Sequence, residues 1–190
     1  MRRAFGYLNL FCLSWLVMAA GGCSSVTPDQ SSWVAARGGL VSGDRQSRAE
    51  RALARLRPAL AGRVEVRVDV LNMSTLAAYS WPDGRLFVSR GLVESLTEPE
   101  LAAALAHELG HLCNDGHLQT VFSLRGGWTN PDAEVRADAT GAQILRANGI
   151  DAAAMQTMLA KVRVGLPDTP AGRKQIDRRL ALLRAAGAAQ

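Results

Sequence analysis

Only 5% of the 190 residues are aromatic, so any core must be built mainly from Ala, Leu and Val. The apolar run Leu8–Ala20 spans 13 residues, short of the roughly 20 that carry a helix across a bilayer. A multi-pass membrane protein is thereby excluded. Apolar residues at 48% and charged residues at 21% exclude a disordered chain. There is no internal repeat and no second composition regime, which leaves one domain. Cysteines number three, Cys12, Cys23 and Cys113, too few and too scattered for a disulfide framework. The pI of 9.7 comes from dispersed arginines without an aromatic-basic patch, so no nucleic-acid partner is expected. Histidine is the scarcest informative residue: all three lie between His107 and His117. Such crowding points to a site.

The N-terminus has a basic start, Met1-Arg2-Arg3, then the apolar run, then Ala20-Gly21-Gly22-Cys23. This is the layout of a secretory signal peptide. Its last four residues resemble the bacterial lipobox, which implies cleavage before Cys23 and acylation of its thiol. The expected organisation is a lipoprotein signal peptide over 1–22, a lipidated Cys23 and flexible tether over 23–40, and a folded domain over 41–190. The tether reading rests on the polar stretch Ser24–Ser32. Ser24, rather than Asp, follows Cys23; by resemblance to enteric sorting this favours a periplasm-facing outer-membrane lipoprotein over an inner-membrane one. Membrane contact would run through the N-terminal lipid.

Within the domain, Ser42–Leu60 has helical spacing, with Ala49, Leu53, Leu56 and Leu60 as its apolar stripe. Its arginines, Arg45, Arg48, Arg51 and Arg55, read as a solvated face. Arg63–Val70 alternates strictly and reads as a half-buried strand, with Val64, Val66, Val68 and Val70 inward. Thr75–Trp81 and Arg85–Ser89 are two further strands around the turn Pro82-Asp83-Gly84. From Gly91 the pattern turns helical: a short helix through Leu96, a helix opened by the capping box Thr97–Glu100 and running to about Leu112, one from Asn130-Pro131 to about Ala147, one from Asp151 to about Val164, and one over about Ala171–Ala186. The fold class is α+β: mainly helical, with about three strands ahead of the central helix.

His107-Glu108-Leu109-Gly110-His111 is an H-E-x-x-H motif on that helix. Positions i and i+4 stack on one helical face, so both imidazoles can bind one zinc ion. Glu108, about 100° around the axis, can take a proton from water as general base. Gly110 leaves room for a close neighbour. A catalytic zinc needs a third protein ligand. Glu134, 23 residues after His111, is one candidate, with Asp138 a turn further on to orient a ligand histidine. His117, six residues after His111, is the other; it has the metzincin spacing, with Asn114 where a sharp turn is needed. Met155 and Met158 read as core. The residues alone leave both third ligands open.

The stretch Gly84–His111, GRLFVSRGLVESLTEPELAAALAHELGH, resembles the gluzincin metallopeptidases that include HtpX, the CAAX prenyl proteases and the periplasmic β-barrel-assembly-enhancing protease. Downstream, Glu134-Val135-Arg136-Ala137-Asp138 followed by Gly141 resembles the family's E-x-x-A-D…G, and Asn148-Gly149-Ile150-Asp151 its A-G-Y-D. The resemblance covers about residues 60–187. It implies one Zn2+ per chain held by His107, His111 and Glu134, with Glu108 as base and Asp138 behind the ligands. One departure stands out: Asp168-Thr169-Pro170 has Thr where the family often carries a His that points into the site. His117, Tyr79 and Arg136 are candidate substitutes for it.

The expected activity is that of a membrane-anchored zinc endopeptidase acting on envelope proteins in quality control. Peptide would pair with the strand Arg85–Ser89, and a separate adaptor protein would deliver substrates. The loop 114–130, with Trp128, is a candidate lid. The rival from another class is a non-catalytic lipoprotein that binds envelope proteins during assembly.

Overall fold

The structure, a computed structural model, describes residues 29–56, 65–81, 83–114, 130–165 and 170–188. The signal peptide, Cys23, Leu60, Val64, His117, Trp128 and Asp168-Thr169 lie outside these residues. In chain order the elements are α1 (Gln30–Ala35), β1 (Leu40–Val41), α2 (Asp44–Ala54), β2 (Arg67–Leu71), β3 (Ala78–Ser80), β4 (Arg85–Ser89), α3 (Arg90–Ser95), α4 (Glu98–Asn114), α5 (Pro131–Ala147), α6 (Ala153–Gly165) and α7 (Pro170–Ala188). Among the described residues, no helix is long and apolar enough to cross a membrane.

The sheet has four strands in the order β1-β2-β4-β3, one more than the alternation pattern predicts. The extra strand, β1, is only two residues long and carries no periodicity to read. β2 and β4 are parallel, while β1–β2 and β3–β4 are antiparallel. Arg85–Ser89 is therefore an interior strand, bonded on both sides, and cannot accept a peptide as expected. The edge on that side is β3. Along β2, Val68 and Val70 face the helices and are buried, as the alternation predicts. The Gln46 carboxamide covers part of β2's outer backbone, donating to Val68 O at 2.8 Å and accepting from Val70 N at 3.1 Å.

α4 is the central element. Every residue from Glu100 to Gly110 is buried. The capping box forms: Thr97 N–H donates to Glu100 Oε2 at 2.7 Å. Lys161 of α6 reaches the same oxygen at 2.6 Å, tying α6 to the start of α4. Burial alone would raise the Glu100 pKa, but these donors hold it below the usual range. Asn130 caps α5 by accepting from Asp132 N at 3.0 Å, and Gly149, at φ +68°, ends it. Met155 and Met158 are core residues.

Two expectations change. The arginines of α2 are not simply a solvated face. Arg48 is half-buried and donates to the carbonyls of Val93 and Leu96 at the end of α3, and to Glu98 at 2.9 Å; Arg45 pairs with Glu94 at 2.6 Å. The tether does not extend to residue 40 either, because α1 is folded against the outer face of the sheet. Trp33 is 4% exposed and packs with Leu71 and Phe87. Its ring lies 5.1 Å from both Tyr79 and Phe87, with the Arg37 guanidinium 3.9 Å above it. One aromatic in a polar segment left no period for sequence reasoning to detect, yet its buried area is enough to dock a helix.

Trp33→Ala should destabilise the fold by about 3–5 kcal/mol, the usual cost of deleting a buried Trp. Urea unfolding checks this, and an unchanged midpoint would show that α1 is not integral to the fold.

Candidate metal centre

The site forms where α4 crosses α5. A Cβ added at Gly110 would lie 2.4 Å from Ala137 O, and one at Gly141 would lie 3.0 Å from the Ala106 carbonyl. Each helix thus presents two small residues four apart, Ala106 and Gly110 against Ala137 and Gly141. The helices meet backbone to backbone. One turn before Ala137, this approach carries Glu134 onto the two histidines.

His107 Nε2 and His111 Nε2 are 3.2 Å apart. Glu134 spans them, with Oε2 3.3 Å from His107 Nε2 and Oε1 3.3 Å from His111 Nε2. Among the described residues these form a three-donor cluster that could hold a metal ion. A tetrahedral ion bound at about 2.0–2.1 Å requires donors about 3.3 Å apart, so the set fits. Two imidazoles and one carboxylate are also a known zinc donor set. Asn114, which the His117 alternative needs as a turn, instead completes α4; its Nδ2 donates to Arg136 O and Thr140 Oγ1 at 3.1 and 2.8 Å.

Behind the donors lies a buried ion network. Asp138, 2% exposed, accepts from His107 Nδ1 at 2.9 Å, which leaves Nε2 facing the cluster. Arg179 of α7, 8% exposed, forks onto Asp138 with two bonds of 2.7 Å and reaches Glu134 Oε2 at 2.8 Å. Sequence reasoning missed Arg179. The signal was present: Ile176, Leu180 and Leu183 form the buried stripe of α7, and Arg179 falls inside it. A charge on an apolar stripe requires a buried partner.

Burial and the Arg179 charge oppose the His107 imidazolium, but hydrogen bonds to Asp138 and Glu134 outweigh them and push its pKa to about 10. His111 is raised against burial by its bond to Glu134. Burial would also raise Glu134 and Asp138. Their bonds to the histidines and Arg179 hold both carboxylates well below the usual range. Glu108 is buried beside His111 and favours its charged form.

Of the suggested substitutes for the missing histidine, Tyr79 packs against Trp33 on the far face of the sheet. Arg136 is exposed and about 200° around α5 from Glu134. Neither belongs to the cluster.

The family model described as Peptidase family M48 matches residues 41–128. Those 88 of the 190 residues are similar to peptidase family M48. The match runs from β1 through the H-E-x-x-H helix and stops short of Glu134, so the third donor rests on the side-chain geometry alone. No curated protein matches the chain significantly.

Gly110→Ala should force α5 away and weaken zinc binding at least about tenfold, with an overpacking cost of about 1–3 kcal/mol. Zinc competition against a chromophoric chelator reads this out, and unchanged affinity would show that the close crossing does not set the site. Protons and a cation compete for the same three donors. Zinc binding should therefore release protons and tighten as pH rises from 6.5 towards 10. Calorimetric titrations in buffers of different ionisation enthalpy should differ accordingly. The same raised His107 pKa stabilises the metal-stripped fold fully below pH 6.5, and that contribution is lost as pH rises through about 10.

Proposed function

We propose that the chain is a zinc-dependent endopeptidase in which His107, His111 and Glu134 hold the metal and Glu108 is the general base. The observation that carries this reading is the three-donor cluster, with separations of 3.2–3.3 Å, two of its donors on the helix that bears Glu108 and the third on α5. Family M48 supports a metallopeptidase. A divalent ion held there supplies Lewis-acid polarisation and acidifies water. Glu108 accepts a proton from the attacking water and delivers it to the leaving amine. Asp138 fixes the His107 ring and its tautomer. Arg179 bonds Asp138 and Glu134 together and offsets part of their charge, so that two carboxylates can lie beside two imidazoles. A substrate backbone pairs with β3, the strand at that edge of the sheet among the described residues.

The wider reading is that Cys23 carries lipid and that the enzyme faces the periplasm, on the outer membrane. It acts there on envelope proteins, with an adaptor that presents them. Its support is the signal-like N-terminus and Ser24. Thr169, in place of the family's histidine, favours a second reading as a non-catalytic binding protein.

Glu108→Gln should retain zinc while peptide hydrolysis falls by about 10²–10⁴, the usual contribution of a general base. In a deletion strain, full rescue by this variant would favour the binding protein and discard the peptidase.

A further inference from the structure

A groove of about 770 Å³ opens between α5 and α7, on the side of Asp138 and Arg179 away from the zinc donors. That volume lies within the range of small-molecule sites. Its walls are apolar: Ala139 and Ala142 from α5, Leu182 and Leu183 from α7. Leu182 is left 44% exposed, one of few large apolar side chains so placed. At one end sits the Asp138–Arg179 pair, and at the other Gln156 of α6 closes against Gly187.

Two arginines stand towards that far end. Arg146 is eight residues beyond Asp138 on α5, and Arg184 five beyond Arg179 on α7, so they lie about 12 and 7.5 Å along their helices. Neither has an ion-pair partner among the described residues. Asp151 also lines the mouth, but its Oδ1 is engaged by Ala153 N at 2.8 Å. Both long walls are helices whose backbone groups are bonded internally, so the groove offers nothing for a peptide backbone to pair with. Paired cations at one end, an apolar trough, and no backbone to match together fit a single-chain anionic amphiphile.

We propose that this groove binds the carboxyl end of a long-chain fatty acid, its carboxylate between Arg146 and Arg184 and the first carbons of its acyl chain along Ala142, Leu182 and Leu183 towards the stem of Arg179. The inference is independent of the zinc reading.

The test is photolabelling of the full chain, held in phosphatidylcholine nanodiscs, with a diazirine-bearing fatty acid, the labelled peptides being mapped by mass spectrometry. Label should fall on residues 139–146 and 182–187, and oleate should compete better than oleyl alcohol. The R146Q/R184Q double variant should reduce labelling at least about tenfold, since charge-assisted bonds exceed the 1.4 kcal/mol that a factor of ten represents. Ala139→Trp, which fills the trough from an exposed position, should block labelling without altering helical content. Equal competition by the alcohol would overturn the proposal. So would label spread over other exposed apolar sites such as Leu40 and Val164, or label undiminished in both variants.

Discussion

The backbone of α5 approaches α4 so closely that a methyl group at Gly110 would overlap main-chain atoms of the facing helix, and one at Gly141 would press on the Ala106 carbonyl. Everything at the centre depends on this. At an ordinary helix spacing, Glu134 would fall short of the histidines and its carboxylate could not span both. The alanines of α4 serve the same end. They let a helix be buried all round without bulky side chains holding its neighbours off. A core poor in aromatics is here a condition for placing the donors.

That closeness has an electrostatic cost, and α7 answers it. Bringing Glu134 and Asp138 together behind two imidazoles buries two carboxylates in a low-dielectric interior. Arg179 satisfies both at once, and its planar fork matches Asp138 where a lysine could not. The helix that braces the centre also forms one wall of the groove. The packing that completes the ion network thus leaves α5 and α7 splayed further along.

Much of this was legible in the sequence, for physical reasons that differ by residue. The boundaries of α5 could be read because Asn130-Pro131 and Asn148-Gly149 are strong local punctuation. The motif spacing placed His107 and His111 on one face, and Glu134 with Asp138 on one face of the next helix. Gly110 signalled the close neighbour. What could not be read was non-local or too short. β1 has two residues and no period, and it gains strand geometry only from β2. Trp33 docks by area alone, which pattern does not register, so α1 was taken for tether. The interior position of β4 depends on a parallel partner that local alternation cannot name. Arg179 needed its two carboxylates, 41 residues upstream and more, to be known as neighbours before its place on an apolar stripe made sense.

The bracing contacts are also far apart along the chain. His107 and Asp138 are 31 residues apart, and Arg179 lies 72 residues beyond His107. During synthesis the chain emerges with both histidines, Glu108 and Glu134 well before the guanidinium that balances them. Until α7 docks, Glu134 and Asp138 have only the two histidines to answer their charge and lack the guanidinium that bonds both. Competence at the centre therefore belongs to the finished chain. A nascent fragment can carry the complete H-E-x-x-H motif and still lack the guanidinium that bonds both carboxylates.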